Sequence, residues 1–302
     1  MFRIADLVLL TVVFSSMLAG IFFPQAGGYF RPYPLYLMMF LLFLSFLPLE
    51  LSKVRKTLWK HISMTVWLTF FKLLLLPAII FLILRSTYPR FATAGLLLSG
   101  VSTGVVAPFI ATLVRSNGAL VLLMVVTTSL LLPFTLPLLV KVFLGKSLDI
   151  SFFGMTKVLS MIIFVPVLAV EVLRRWLPWV LRLLLRRRYP ISLAIFAAIN
   201  LGVFSGYGEY FRQQPEILIS TSIAAMALGG MFFVFGLSAP WHAEPEDRIA
   251  FAIAAGNINN VLIIVFSARF FGPLEATVAA MYMIPFFLLI FPLRACENLL
   301  NR

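Results

Sequence analysis

Charged residues and turn formers cut the chain into ten apolar segments. They run at roughly residues 5–23, 33–50, 62–84, 91–114, 119–144, 150–173, 190–208, 216–240, 247–268 and 274–293. Each comes near the ~20 residues that a helix needs to cross a bilayer. The pattern predicts an all-α membrane protein of ten transmembrane helices.

Composition agrees. The chain is 62% hydrophobic and 12% charged, against roughly 25% charged in a soluble domain. Its one cysteine, Cys296, excludes an internal disulfide and a cysteine metal cluster. A net charge of +13 invites a nucleic-acid reading, but Lys and Arg sort roughly two to one between alternate loops, as the positive-inside rule requires. The bias predicts a multi-pass protein of the cell's inner (plasma) membrane with both termini in the cytoplasm. The densest basic run, RRWLPWVLRLLLRRRYP at 174–190, reads as an interfacial stretch meeting anionic lipid.

One charge breaks the pattern. Lys72 sits inside ISMTVWLTFFKLLLLPAIIFLIL with about ten uncharged residues on either side. That depth is near the bilayer midplane, ~15 Å from the headgroups, and a snorkelling lysine reaches only ~6 Å. An ionisable group there is a functional candidate by default.

Five segments precede about residue 147 and five follow, so the second half must be inverted relative to the first. We therefore expect inverted repeats over 1–147 and 148–302, a common plan for secondary transporters. The fourth segment carries Gly100, Gly104 and Pro108 at its middle, and the ninth carries Gly256 followed by Asn257, Asn259 and Asn260. Corresponding ranks in the two halves thus hold the weakest helices. Broken helices are tolerated in a membrane only where the freed backbone is buried in protein or lines a cavity.

These residues resemble the bile acid:sodium symporter family. SGVSTGVVAPFIATLVRSNGALVLLMVVTTSLLLPFTLPLL is similar to its fourth and fifth helices, with the turn from Arg115 to Leu120 and the prolines Pro133 and Pro137. FLLFLSFLPLEL resembles its second-helix signature, and AAGNINN falls at the ninth-helix crossover. The resemblance implies a core of helices 3–5 and 8–10, a panel of helices 1, 2, 6 and 7, and broken fourth and ninth helices that cross. It also implies sodium, but the matching ligand positions are Ala107, Pro108, Val121, Val125, Ala254 and Ile258, and only Asn259 keeps its amide. A third-helix glutamine of the family falls on Lys72.

We therefore expect no bound metal or other cofactor. Lys72 would stand in for sodium, bracing the crossover through the Asn257, Asn259 and Asn260 carbonyls and the carbonyl ends of the half-helices. It would act either as a fixed charge or as a group that exchanges a proton. Ser102, Thr103, Gly104, Pro108, Thr128 and Gly256 complete the candidate site. Thr127, Thr128 and Ser129 either bond within their own helix or face the crossover. Asn200 either joins two helices or touches substrate. Glu50 and Glu171 either sit at the interface or pair with a moving core. The spans hold no paired aspartates, metal cluster or Ser/His pair, so an enzyme is not expected. The reading is a transporter of a small, anionic or amphipathic organic solute. An exporter of the arsenite or auxin-carrier type and a non-transporting sensor are the alternatives.

Overall fold

The computed structural model describes residues 4–49, 62–145 and 151–300. Glu50, Lys53, Arg55, Lys56, Lys60 and Lys146 lie outside the described residues. The described residues form an all-α fold whose major helices, in chain order, are α1 (Ile4–Phe22), α2 (Pro34–Phe46), α3 (Ile62–Thr87), α4 (Ala92–Gly100), α5 (Ala107–Leu113), α6 (Gly118–Leu144), α7 (Phe152–Trp176), α8 (Pro178–Phe204), α9 (Ile217–Ser238), α10 (Pro245–Gly256), α11 (Asn260–Phe270) and α12 (Pro273–Glu297).

Five of these, α3, α6, α7, α9 and α12, are long and apolar enough to cross a membrane. The other predicted segments differ for local reasons. α2 is apolar but has 13 residues, and the apolar helix counted within α1 is Val8–Phe22. α8 has 27 residues, but its first half carries Arg182, Arg186, Arg187 and Arg188. The segments predicted over 91–114 and 247–268 each fall into two helices, separated by residues 101–106 and 257–259.

The helix ends follow from sequence. Beyond α5 the chain enters the left-handed region at Arg115 (φ 47°). The Ser116 amide then bonds back to the Ala111 carbonyl at 3.0 Å, closing the helix with a Schellman-type bond. Asn117 starts α6, its side chain accepting from the Leu120 amide at 3.0 Å. In α3, residues Phe71–Leu75 form a π-helical turn in which the Leu76 amide bonds to Phe71. Pro77 follows and has no N–H for the Leu73 carbonyl, so the regular ladder cannot continue there.

α1 packs on α8, and α2 packs on both α7 and α8. On the other side of the molecule, α3 lies on α4, α9 on α10, α11 on α12, and α10 on α6. The approach of α9 to α10 is close, because a Cβ on Gly236 would lie 2.6 Å from Ala252 Cα. Asn200 joins α8 to α1, its amide donating to the Val13 carbonyl at 3.2 Å and to Ser16 Oγ at 3.3 Å.

Candidate functional site

The two interrupted stretches meet in the interior. Thr103 and Ile258 form an antiparallel bridge. The Gly104 amide donates to the Asn257 carbonyl at 2.7 Å, and the Asn259 amide donates to the Ser102 carbonyl at 2.9 Å. Backbone groups freed from helices thus pair with each other, which is how buried backbone stays satisfied without water. The contact requires glycine at 104, since a Cβ there would sit 2.6 Å from the Ile258 carbonyl oxygen.

The carbonyl ends of α4 and α10 are capped by side chains from elsewhere. Lys72 Nζ donates to the Ser99 carbonyl at 2.6 Å. Lys72 is 0% exposed, so it does not snorkel. A helix C-terminus carries roughly half a negative charge, and the Lys72 amino group sits against that of α4. At the end of α10, the Tyr282 hydroxyl donates to the Gly256 carbonyl at 2.8 Å and the Thr103 hydroxyl to the Ala254 carbonyl at 2.8 Å. Phe232 of α9 stands between the two caps. Lys72 Nζ lies 5.7 Å from its ring centroid, and the Tyr282 ring lies 5.5 Å from it on centroids. The chain Ser99–Lys72–Phe232–Tyr282–Gly256 therefore links the two carbonyl ends through a cation–π contact and a ring pair. Tyr282 and Phe232 escaped the sequence reading, because one aromatic ring in an apolar helix carries no signal of its own.

The expected bracing of Lys72 by the asparagines is not what the side chains do. Asn257 donates its amide to the Phe286 carbonyl at 3.1 Å, and Asn259 caps α11 by accepting from the Leu262 amide at 3.4 Å. Ser102 Oγ, Asn257 Oδ1 and both polar atoms of Asn260 are buried without a hydrogen-bond partner in the protein. Such groups cost about 1–3 kcal/mol each. Thr128 does both things considered for it. It accepts from the Thr103 amide at 3.0 Å and donates to the Met124 carbonyl of its own helix. Thr127 bonds to Leu123 in the same way and meets Thr69 Oγ1 of α3 at 2.9 Å. Pro108 is half-buried in the first turn of α5. Of the positions matched to sodium ligands, Ala107, Val121, Val125, Ala254 and Ile258 are buried among apolar neighbours, and none offers a side-chain oxygen.

A small cleft of about 70 Å³ opens between α2, α6 and α7. Phe46, Val126, Ile163 and Val167 line it, with Glu171 and the unpartnered Ser129 hydroxyl as its polar groups.

The profile of the Sodium Bile acid symporter family matches residues 34–214. That stretch begins at α2, includes the first interrupted segment and Lys72, and ends before α9. A search of curated proteins finds no match to this chain. The family match spans more than half of the chain, and with it the chain belongs to the sodium bile acid symporter family.

Proposed function

We propose that the protein is a secondary transporter that moves a small organic anion by alternating access, with Lys72 in place of sodium. In this reading α4 with α5 and α10 with α11 are the discontinuous fourth and ninth helices of two inverted repeats, 1–147 and 148–302. The core is α3–α6 with α9–α12, and the panel is α1, α2, α7 and α8. The packing of α1 and α2 on α7 and α8 supports that division.

The carrying observation is the 2.6 Å contact of Lys72 Nζ with the Ser99 carbonyl. With Lys72 protonated, that contact would put a positive charge at the carbonyl end of a half-helix beside the crossing, where an ion would otherwise offset the dipole. A sodium ion within ~4–6 Å of that ammonium would be repelled. The anion assignment rests on the other end of the break: Asn260 opens α11, at its positive terminus, with an unpartnered amide. The cleft between α2, α6 and α7 would take the apolar part of the solute. An arsenite-type exporter fits less well, since Cys296 lies in the last turns of α12 rather than at the crossing.

Proteoliposome flux of a panel of small carboxylates tests the reading. Uptake should be equal in sodium, potassium and choline. Sodium-stimulated flux would overturn the role given to Lys72, and no flux of any carboxylate would overturn the anion assignment.

A further inference from the structure

The basic run at the junction of α7 and α8 plays no part in the site above. α7 has 25 residues, about 37 Å at 1.5 Å per residue, which exceeds the ~30 Å hydrocarbon core. Its last turn, with Arg174, Arg175 and Trp176, therefore ends at headgroup depth, and α8 starts there after Leu177 alone. The junction is pinned, because the Arg174 guanidinium donates to the Leu47 and Leu49 carbonyls at 3.1 and 2.7 Å.

The first turns of α8 have two distinct sides. Leu181, Leu184 and Leu185 pack half-buried against the core. At 100° per residue the opposite side is centred on Trp179 and Leu183, one turn apart. They are 61% and 55% exposed. Arg182 and Arg186 border this ridge on one flank and Arg187 on the other, and all three are exposed. No carboxylate occurs between Glu171 and Glu209, so nothing in this part of the chain neutralises them. An exposed indole–leucine ridge flanked by unneutralised guanidinium groups suits a boundary that is apolar within and negative at its edge.

We propose that this face of α8 is a binding surface for anionic phospholipid headgroups of the surrounding bilayer. Trp179 and Leu183, with Trp176 (72% exposed) beside them, enter between the upper acyl carbons. Arg182, Arg186 and Arg187 hold the phosphates. Charge complementarity selects the occupant: zwitterionic lipid presents the same apolar boundary without the net charge.

The test uses the full chain in detergent micelles, titrated with phosphatidylglycerol or phosphatidylcholine while thermal unfolding is followed. Phosphatidylglycerol should raise the unfolding temperature saturably, and phosphatidylcholine should not. Each arginine near an anionic surface contributes about fivefold in affinity, so R182Q/R186Q/R187Q should need about a hundredfold more phosphatidylglycerol. The Arg→Lys triple variant should keep most of the response. In the unaltered protein 0.5 M salt should remove the phosphatidylglycerol-specific shift, since the Debye length falls to a few ångströms. This arm decides the matter even where the glutamine variant fails to fold. A shift that survives both salt and substitution, or one that inorganic phosphate reproduces, would overturn the proposal.

Discussion

Lys72 and Tyr282 do the same job at opposite ends of a short chain of contacts, each donating to the carbonyl end of a helix and each touching Phe232. Removing the Lys72 donor leaves the buried Ser99 carbonyl unpaired, at about 1–3 kcal/mol, whereas the Gly256 carbonyl also accepts from the Ile258 amide at 3.1 Å. Lys72→Met should therefore lower unfolding stability by that order and abolish flux. Lys72→Gln keeps a donor and should recover most of the stability. Were Lys72 a proton carrier rather than a fixed charge, a pH gradient would drive flux in the native chain and not in Lys72→Gln. Tyr282→Phe keeps the ring and should cost less, since the Gly256 carbonyl retains the Ile258 amide. If Phe232 couples the two caps, the double variant departs from additivity by ~0.5 kcal/mol or more, as contacting residues do. Strict additivity in thermal or denaturant unfolding would show the caps to be independent.

The elements at the crossing are held by backbone contact, so small changes there should act on function before they act on folding. Gly104→Leu drives a side chain into the Ile258 carbonyl. It should eliminate flux while protein still accumulates in the membrane, as measured by flux alongside the yield of folded protein. Asn117 caps α6 and also donates to Asp247 in the first turn of α10 at 2.7 Å. Asn117→Ala should cost about 1 kcal/mol as a lost cap, and wild-type stability in that variant would show the link to α10 to be idle. The places of interruption were legible in the sequence, since Gly100, Gly104, Pro108 and Gly256 are weak helix formers in otherwise apolar runs. Their partners were not. The Lys72 contact with Ser99 and the Tyr282 contact with Gly256 join different helices, and apolar helices look alike until they are packed. The π turn at Phe71–Leu75 depends on what Pro77 removes from the ladder, which hydropathy does not register. The asparagines suggested ligands for Lys72 because they are polar and near, yet local capping and the Phe286 carbonyl take two of them.

At the scale of the whole molecule, site-directed labelling reads the orientation. A cysteine placed at exposed Arg187 should be shielded from an impermeant reagent added outside, and one at exposed Arg212 should react. Reversed labelling would invert the topology and, with it, the side on which the basic face of α8 meets lipid. The five long apolar helices were visible as continuous runs. The basic first half of α8 was also visible, as an interfacial stretch within the run 174–190. Only the packing of Leu181, Leu184 and Leu185 gives it an inner and an outer side.

In the reading proposed above, with Lys72 keeping its proton throughout the cycle, its charge is not released on the far side of the membrane. A carrier built this way draws no work from a sodium gradient, and an anion that crosses on it crosses with its charge uncompensated. At 100 mV, negative inside, each elementary charge is worth about 2.3 kcal/mol, roughly fifty-fold in concentration ratio. The direction of net movement is then set by the electrical potential and the solute's own gradient, and at equal concentrations an anion leaves the cell.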